Sequence, residues 1–304
     1  MRHLGLLLCL AVLSSLSLLR VDAAPPTLGQ ACPLLGRGPL AAARLVELPA
    51  GVLLRADSMT ITEQDVNSEI SKAAPELRSS FQHNRLLALE RLAVRQLLAR
   101  EAEQWAKKTD RETKETEAAR VQAYLGTLTA GVAVTEAELR RAYDENKDSF
   151  GGVSFEDVKP QLSAFVLSQQ RDAAVERYTN SLSERVPVEM AETWVQTQYR
   201  QMIDNPVDRV RLSGRPSLVD FGAEGCMACE TMAPILALLG DELKDKANVL
   251  FVDVRKEQML GARFGVRTIP LQVFFDRDGK EVFRHVGVFP ETQIRAKLAE
   301  LGVR

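Results

Sequence analysis

The chain has 304 residues, of which 26% are charged, and a formal net charge of −2. Acidic and basic residues are interspersed, so no one-signed field favours nucleic acid or an anionic membrane surface. One of the four cysteines lies inside the first apolar run; the three outside it are an odd count, which argues against a disulfide scaffold and leaves one thiol over.

Met1-Arg2-His3 opens the chain, and Leu4 to Leu19 form an almost unbroken apolar run. Val21-Asp22-Ala23 follows, with small or aliphatic residues at both cleavage-determining positions. A short basic region, an apolar core and an Ala-type cut predict a secretory signal peptide over 1–23. The run is shorter than the ~20 residues of a spanning helix, which argues against an uncleaved anchor. The mature chain is therefore expected in a bacterial periplasm, with room for two domains.

Residues 24–50 are rich in Pro, Gly and Ala, show no period, and read as a flexible lead-in. Cys32 lies in this stretch, either as an incidental thiol or as one half of an intermolecular or regulatory disulfide, Cys226 being one potential partner. From 51 to 186 the pattern is helical. Thr62 with Asp65, and Thr135 with Glu138, are N-capping pairs. Leu86, Leu89, Ala93 and Leu97 recur on one helical face, and a long helix is expected from about Phe155 to Leu182, with Pro160 in its first turns. Residues 101–120 carry 11 charges in 20 and read as a solvated helix surface or a connection. This half is expected to be all-α.

"VLLRADSMTITEQDVNSEI" (52–70), the long helix after it, and "VTEAELRRAYDENKDSF" (134–150) resemble the N-terminal domain of SurA-type periplasmic chaperones and parvulin-related prolyl isomerases. "GGVSFEDVKPQL" leads straight into that family's closing helix, so the isomerase insert is absent from the pattern. The resemblance implies a chaperone-like domain that holds unfolded polypeptide.

Residues 187–205 read as a connecting helix. From 206 to 304 the period changes. Short apolar strands are expected at 217–223, 248–254, 271–275 and 282–286, the last two joined across Asp278-Gly279, and helices at 226–246, 256–264 and 290–302. The whole is thus a multidomain chain: an all-α half, then an α/β domain whose mixed sheet carries helices on both faces.

Cys226-Met227-Ala228-Cys229 falls where a strand passes into a helix. Unpaired N–H groups and the helix dipole favour a thiolate at the first position, and a thiol one turn on can resolve a mixed disulfide. A structural staple over so short a loop gains little. Zinc would need two more ligands, and outside the signal only His83 and His285 remain, in no finger spacing. No metal and no cofactor are expected.

"VDFGAEGCMACETMAPIL" and "FGVRTIPLQVFF" resemble the active-site and cis-proline segments of the thioredoxin family, in the expected order, across 206–304. The resemblance implies that Cys226 is the nucleophile, Cys229 the resolving thiol, and Cys226–Cys229 the redox disulfide. It implies a cis bond at Ile269-Pro270, a buried proton-relaying acid at Asp220, and substrate contacts from Ile269, Pro270, Met227 and Ala228. Pro234 matches the helix-kinking proline and Gly287 the glycine at the rim. Gly225, Met227-Ala228, Glu230 and Phe251 depart from the usual Trp, Gly-Pro, Lys and Lys, and together resemble the periplasmic domains of DsbD-like electron carriers. The expected partners are cysteine-containing or unfolded exported proteins and a membrane-embedded thiol donor. The competing expectation is a chaperone or adaptor that uses the α/β domain for docking.

Overall fold

The computed structural model describes residues 24–109 and 116–304. The signal peptide expected over 1–23 lies outside the described residues, as do residues 110–115 of the charged run. No helix among the described residues is long and apolar enough to cross a membrane.

The stretch read as a flexible lead-in is ordered. Thr27 caps a short helix α1 (Leu28–Ala31) in a reciprocal capping box with Gln30, and a 3-10 turn (Pro33–Leu35) follows. Leu28, Cys32 and Leu40 are buried in the core of the helical half. Apolar residues without a period therefore gave no element signal, yet they fill the base of that core.

The all-α expectation for the same half is also corrected. It holds a four-stranded sheet of β1 (Arg44–Val46), β2 (Val52–Ala56), β3 (Met59–Thr62) and β4 (Val188–Ala191), in the order β1-β4-β2-β3. Strands of three to five residues are too short to show a period of two. Residue 44 pairs with 189, so one partner is invisible to any local window. Asp57, at φ 54°, makes the tight turn between β2 and β3.

Around this sheet pack α2 (Glu63–Lys72), α3 (Pro75–His83), α4 (Arg85–Lys108) and α5 (Glu117–Thr129). α6 (Glu136–Glu145) and the 26-residue α7 (Phe155–Asn180) form an arm with its own small core of Leu139, Tyr143, Phe155 and Leu162. The capping pairs at Thr62 and Thr135 open α2 and α6 as the sequence predicts. The chain returns through α8 (Leu182–Arg185) and β4 into α9 (Glu192–Met202) and α10 (Pro206–Arg211).

The second sheet has the order β6-β5-β7-β8, built from β5 (Ser217–Gly222), β6 (Asn248–Asp253), β7 (Leu271–Phe275) and β8 (Glu281–Val286). β6 runs parallel to β5, and β7 antiparallel to it. α11 (Met227–Leu243) and α13 (Glu291–Glu300) cover one face, where Leu218 and Phe274 meet Met232, Leu239 and Ile294. On the other face Val219 and Phe221 meet Phe264, which follows α12 (Gln258–Arg263). The two halves touch: Met259 of α12 joins the core of the helical half, and Asp172 on α7 pairs with Arg267 at 2.6 Å.

Candidate active site

β5 is buried along its whole length, between β6 and β7. Alternation along it sends Leu218, Asp220 and Gly222 toward α11. At Gly222 the strand lies close to the second cysteine: a Cβ there would come within 2.7 Å of the Phe251 ring and 3.3 Å of Cys229 Sγ, so a larger residue would displace the ring and crowd the sulfur.

After Gly222 the chain turns through Ala223-Glu224-Gly225 and starts α11. The turn is tied down: Arg255 donates to the Glu224 carbonyl at 2.9 Å, and Lys256 pairs with the Glu224 carboxylate at 2.5 Å. Gly225 has φ +73°, a conformation that side chains with a Cβ disfavour. Glycine in place of the family's usual aromatic thus follows from the path of this turn.

Cys226 is the N-cap of α11, and its Sγ accepts the Cys229 N–H at 3.3 Å. Its sulfur therefore sits among the unpaired N–H groups of a 17-residue helix, at the positive end of the dipole. Cys226 and Cys229 are bonded to each other, with Cα atoms 5.2 Å apart. Cys226 is half-buried, Cys229 is buried, and Met227 between them is 83% exposed, with Ala228 half-buried. Pro234 lies inside the same helix.

The Ile269-Pro270 bond is cis, and it directly precedes Leu271, which pairs with Phe221 at the end of β5 from which the chain turns to the cysteines. The Pro270 carbonyl accepts the Gly287 N–H at 2.8 Å, joining the proline to the Gly287 loop. Ile269 remains half-exposed at the rim.

Asp220 is 0% exposed. Burial pushes its carboxyl up to about 6, against a smaller opposing effect of the hydrogen bond from Gln272. That bond, Gln272 Nε2 to Asp220 Oδ1, is 2.6 Å long. Sequence reading missed Gln272; a glutamine inside the apolar run "PLQVFF" was the available signal. Phe251, on the neighbouring strand, supplies no charge to the acid. No group of His, Cys, Asp and Glu among the described residues is arranged to hold a metal ion.

Cys32 stands apart from this site. It is fully buried in the helical half, and burial pushes its thiol up to about 11. A disulfide from Cys32 to Cys226 or to another chain would require that core to open.

Comparison with known proteins places this half of the chain in one family. The thioredoxin family profile matches residues 194–300. A thioredoxin of Alicyclobacillus acidocaldarius is 33% identical over 87 residues, which make up 29% of this chain and 82% of the relative. The chain belongs to the thioredoxin family. A thioredoxin of Haemophilus influenzae is 37% identical over 79 residues, 26% of this chain and 73% of its own. The protein disulfide-isomerase erp38 of Neurospora crassa is 39% identical over 83 residues, yet this chain spans only 22% of its length. The thioredoxin-like domain makes the chain a thiol–disulfide oxidoreductase, and the match leaves most of the helical half outside it.

Proposed function

We propose that this protein is an exported, periplasmic oxidoreductase that exchanges disulfides with protein substrates through Cys226 and Cys229, while its helical half holds the client or a redox partner. The observation that carries the reading is Cys226 as N-cap of α11 with its sulfur on a helix N–H, one turn from Cys229. In the reducing direction, the Cys226 thiolate attacks a client disulfide, forms a mixed disulfide and releases one client thiolate. Cys229 then gives its proton to Asp220 and attacks Cys226. The Cys226–Cys229 bond forms, the bond to the client breaks, and the client has gained two electrons and, from solvent, two protons. Ile269, Pro270, Met227 and Ala228 are the groups that an extended client segment would meet in this reading.

The helical half enters the proposal through its resemblance to SurA-type chaperones and through the Asp172–Arg267 pair, which brings α7 to the loop before the cis-proline. A membrane-embedded thiol donor would serve the same groove, in the manner of DsbD-like carriers. The test is reduction of insulin disulfides by the full chain. Cys226→Ser should abolish it, and Cys229→Ser should trap the client as a mixed disulfide; turnover that survives Cys226→Ser refutes the assignment.

One observation favours a second role as chaperone or adaptor: Val153 and Phe165 on the helical arm are 45% and 44% exposed. A Cys226→Ser/Cys229→Ser chain that still suppresses aggregation of a cysteine-free client would establish it; failure to do so removes it.

A further inference from the structure

Four side chains form a row across the second sheet on the face beneath α11: Phe251 on β6, Asp220 on β5, Gln272 on β7 and His285 on β8. Asp220 and Gln272 are both 0% exposed and joined by one hydrogen bond. The other oxygen of each, Asp220 Oδ2 and Gln272 Oε1, is buried without a hydrogen-bond partner. Acceptors orphaned in such surroundings destabilise the fold unless something donates to them.

The two orphans have a common remedy. Ionised Asp220 only accepts, so neither Oδ2 nor Oε1 can satisfy the other. A proton on Oδ2 turns that oxygen into a donor, and a carboxylic acid and a primary amide are complementary, each with a donor beside an acceptor. The bond already present fixes Asp220 through Oδ1 and leaves Oδ2 as the atom that gains the proton. Among the described residues no charged group acts on the Asp220 carboxyl. Phe251 flanks the acid from β6, and α11 brings Cys229. Beyond Gln272, His285 stacks on Phe289 at 4.2 Å, with Nε2 3.3 Å from the Val288 carbonyl.

We propose that Gln272 is the positioning residue for proton transfer at Cys229, its amide nitrogen holding Asp220 by one oxygen and its carbonyl oxygen stabilising the proton that Asp220 takes up on the other. The proposal rests on the exchange reaction given above. In it the Sγ–H bond of Cys229 breaks, an O–H bond forms on Asp220 Oδ2, and the electron pair stays on sulfur for the attack on Cys226. When the Cys226–Cys229 bond is later reduced, Cys229 leaves as a thiolate and takes the same proton back.

The decisive measurement needs no substitution. In the reduced full-length chain, with carboxyl-13C aspartate and side-chain-15N glutamine, Asp220 and Gln272 should titrate with one shared midpoint, and the Gln272 response should vanish in Asp220→Asn. A Gln272 resonance that stays flat while Asp220 titrates overturns the proposal. Gln272→Leu supplies the kinetic arm. It removes the donor to the carboxylate and the acceptor for the proton together, so both forms of Asp220 lose their partner. Resolution of the mixed disulfide should slow about tenfold and its pH profile should depart from the parent's. Gln272→Leu should add nothing to Asp220→Asn; a pH profile identical to the parent's, or additive effects, overturns the proposal. The linked titration is read without turnover, so a chain that shows it yet fails to reduce insulin sinks the exchange reading alone.

Discussion

Among the described residues two aspartates are fully buried, and their surroundings are opposite. Asp208, on α10, pairs with Arg211 at 2.9 Å and with both terminal nitrogens of Arg263, and accepts from Asn205 Nδ2 at 2.6 Å. Arg211 spends its other donors on the carbonyls of Gly279 and Leu34, and its guanidinium lies 4.8 Å from the centre of the Phe275 ring. One carboxylate thus ties α10, α12, the β7–β8 hairpin and the N-terminal segment together. Asp220 has a single amide. A buried carboxylate matched by cations is a fastener; one left without them is a place to keep a proton.

The largest effect should come from breaking the fastener. Asp208→Ala removes the carboxylate that pairs with both the Arg211 and Arg263 guanidinium groups and should cost about 3–5 kcal/mol in urea unfolding. Insulin reduction by the remaining folded protein should stay near the parent's, and a specific loss there would blur the contrast. Asp220→Asn should do the reverse. Its carboxyl is held at about 6 in the fold rather than the ordinary 3.8, so the ionised acid opposes folding. That cost is absent below about pH 3.8, grows as pH rises, and is complete above about pH 6, at roughly 3 kcal/mol. The oxidised Asp220→Asn chain should therefore gain up to that amount at pH 8 and nothing near pH 3, while client resolution slows. A variant less stable than the parent at pH 8 would show that Asp220 is also a fastener.

How far the sequence displays each region follows from the range of its contacts. β5 to β8 are five or six residues long and are separated by helices or a hairpin, so their short apolar runs and the Asp278-Gly279 turn suffice to find them. Cys226, Cys229, Asp220 and Pro270 announce themselves through spacing and family pattern. Gln272 does not, because its significance is a cross-strand pairing with Asp220 that no local window contains. Asp208 was hidden for the same reason: its partner Arg263 is 55 residues away. The first sheet is the extreme case, with β1 and β4 joined across most of the helical half.

The two thiol environments should differ by a smaller margin. Cys32→Ser places a hydroxyl among Leu28, Leu40 and their neighbours, and should cost about 1–3 kcal/mol. Under native conditions at pH 8, Cys32 should resist a maleimide that modifies reduced Cys226, and it should react once the chain is unfolded. Ready native labelling would mean that the base of the helical core opens on its own.

The smallest effect tests whether the ion pair between α7 and the cis-proline loop is a fastener at all. Arg267 and Asp172 pair at 2.6 Å, but their side chains are 59% and 49% exposed. Water and salt screen such a pair, so Asp172→Asn should cost less than about 1 kcal/mol, and the difference should fade at high ionic strength. The informative readout is the substrate. If α7 helps to frame the groove beside the cis-proline, Asp172→Asn should change KM for insulin and leave the reduction of a small aromatic disulfide untouched. Equal changes for both substrates would place the effect on Arg267 and the proline loop, with no part for the helical arm.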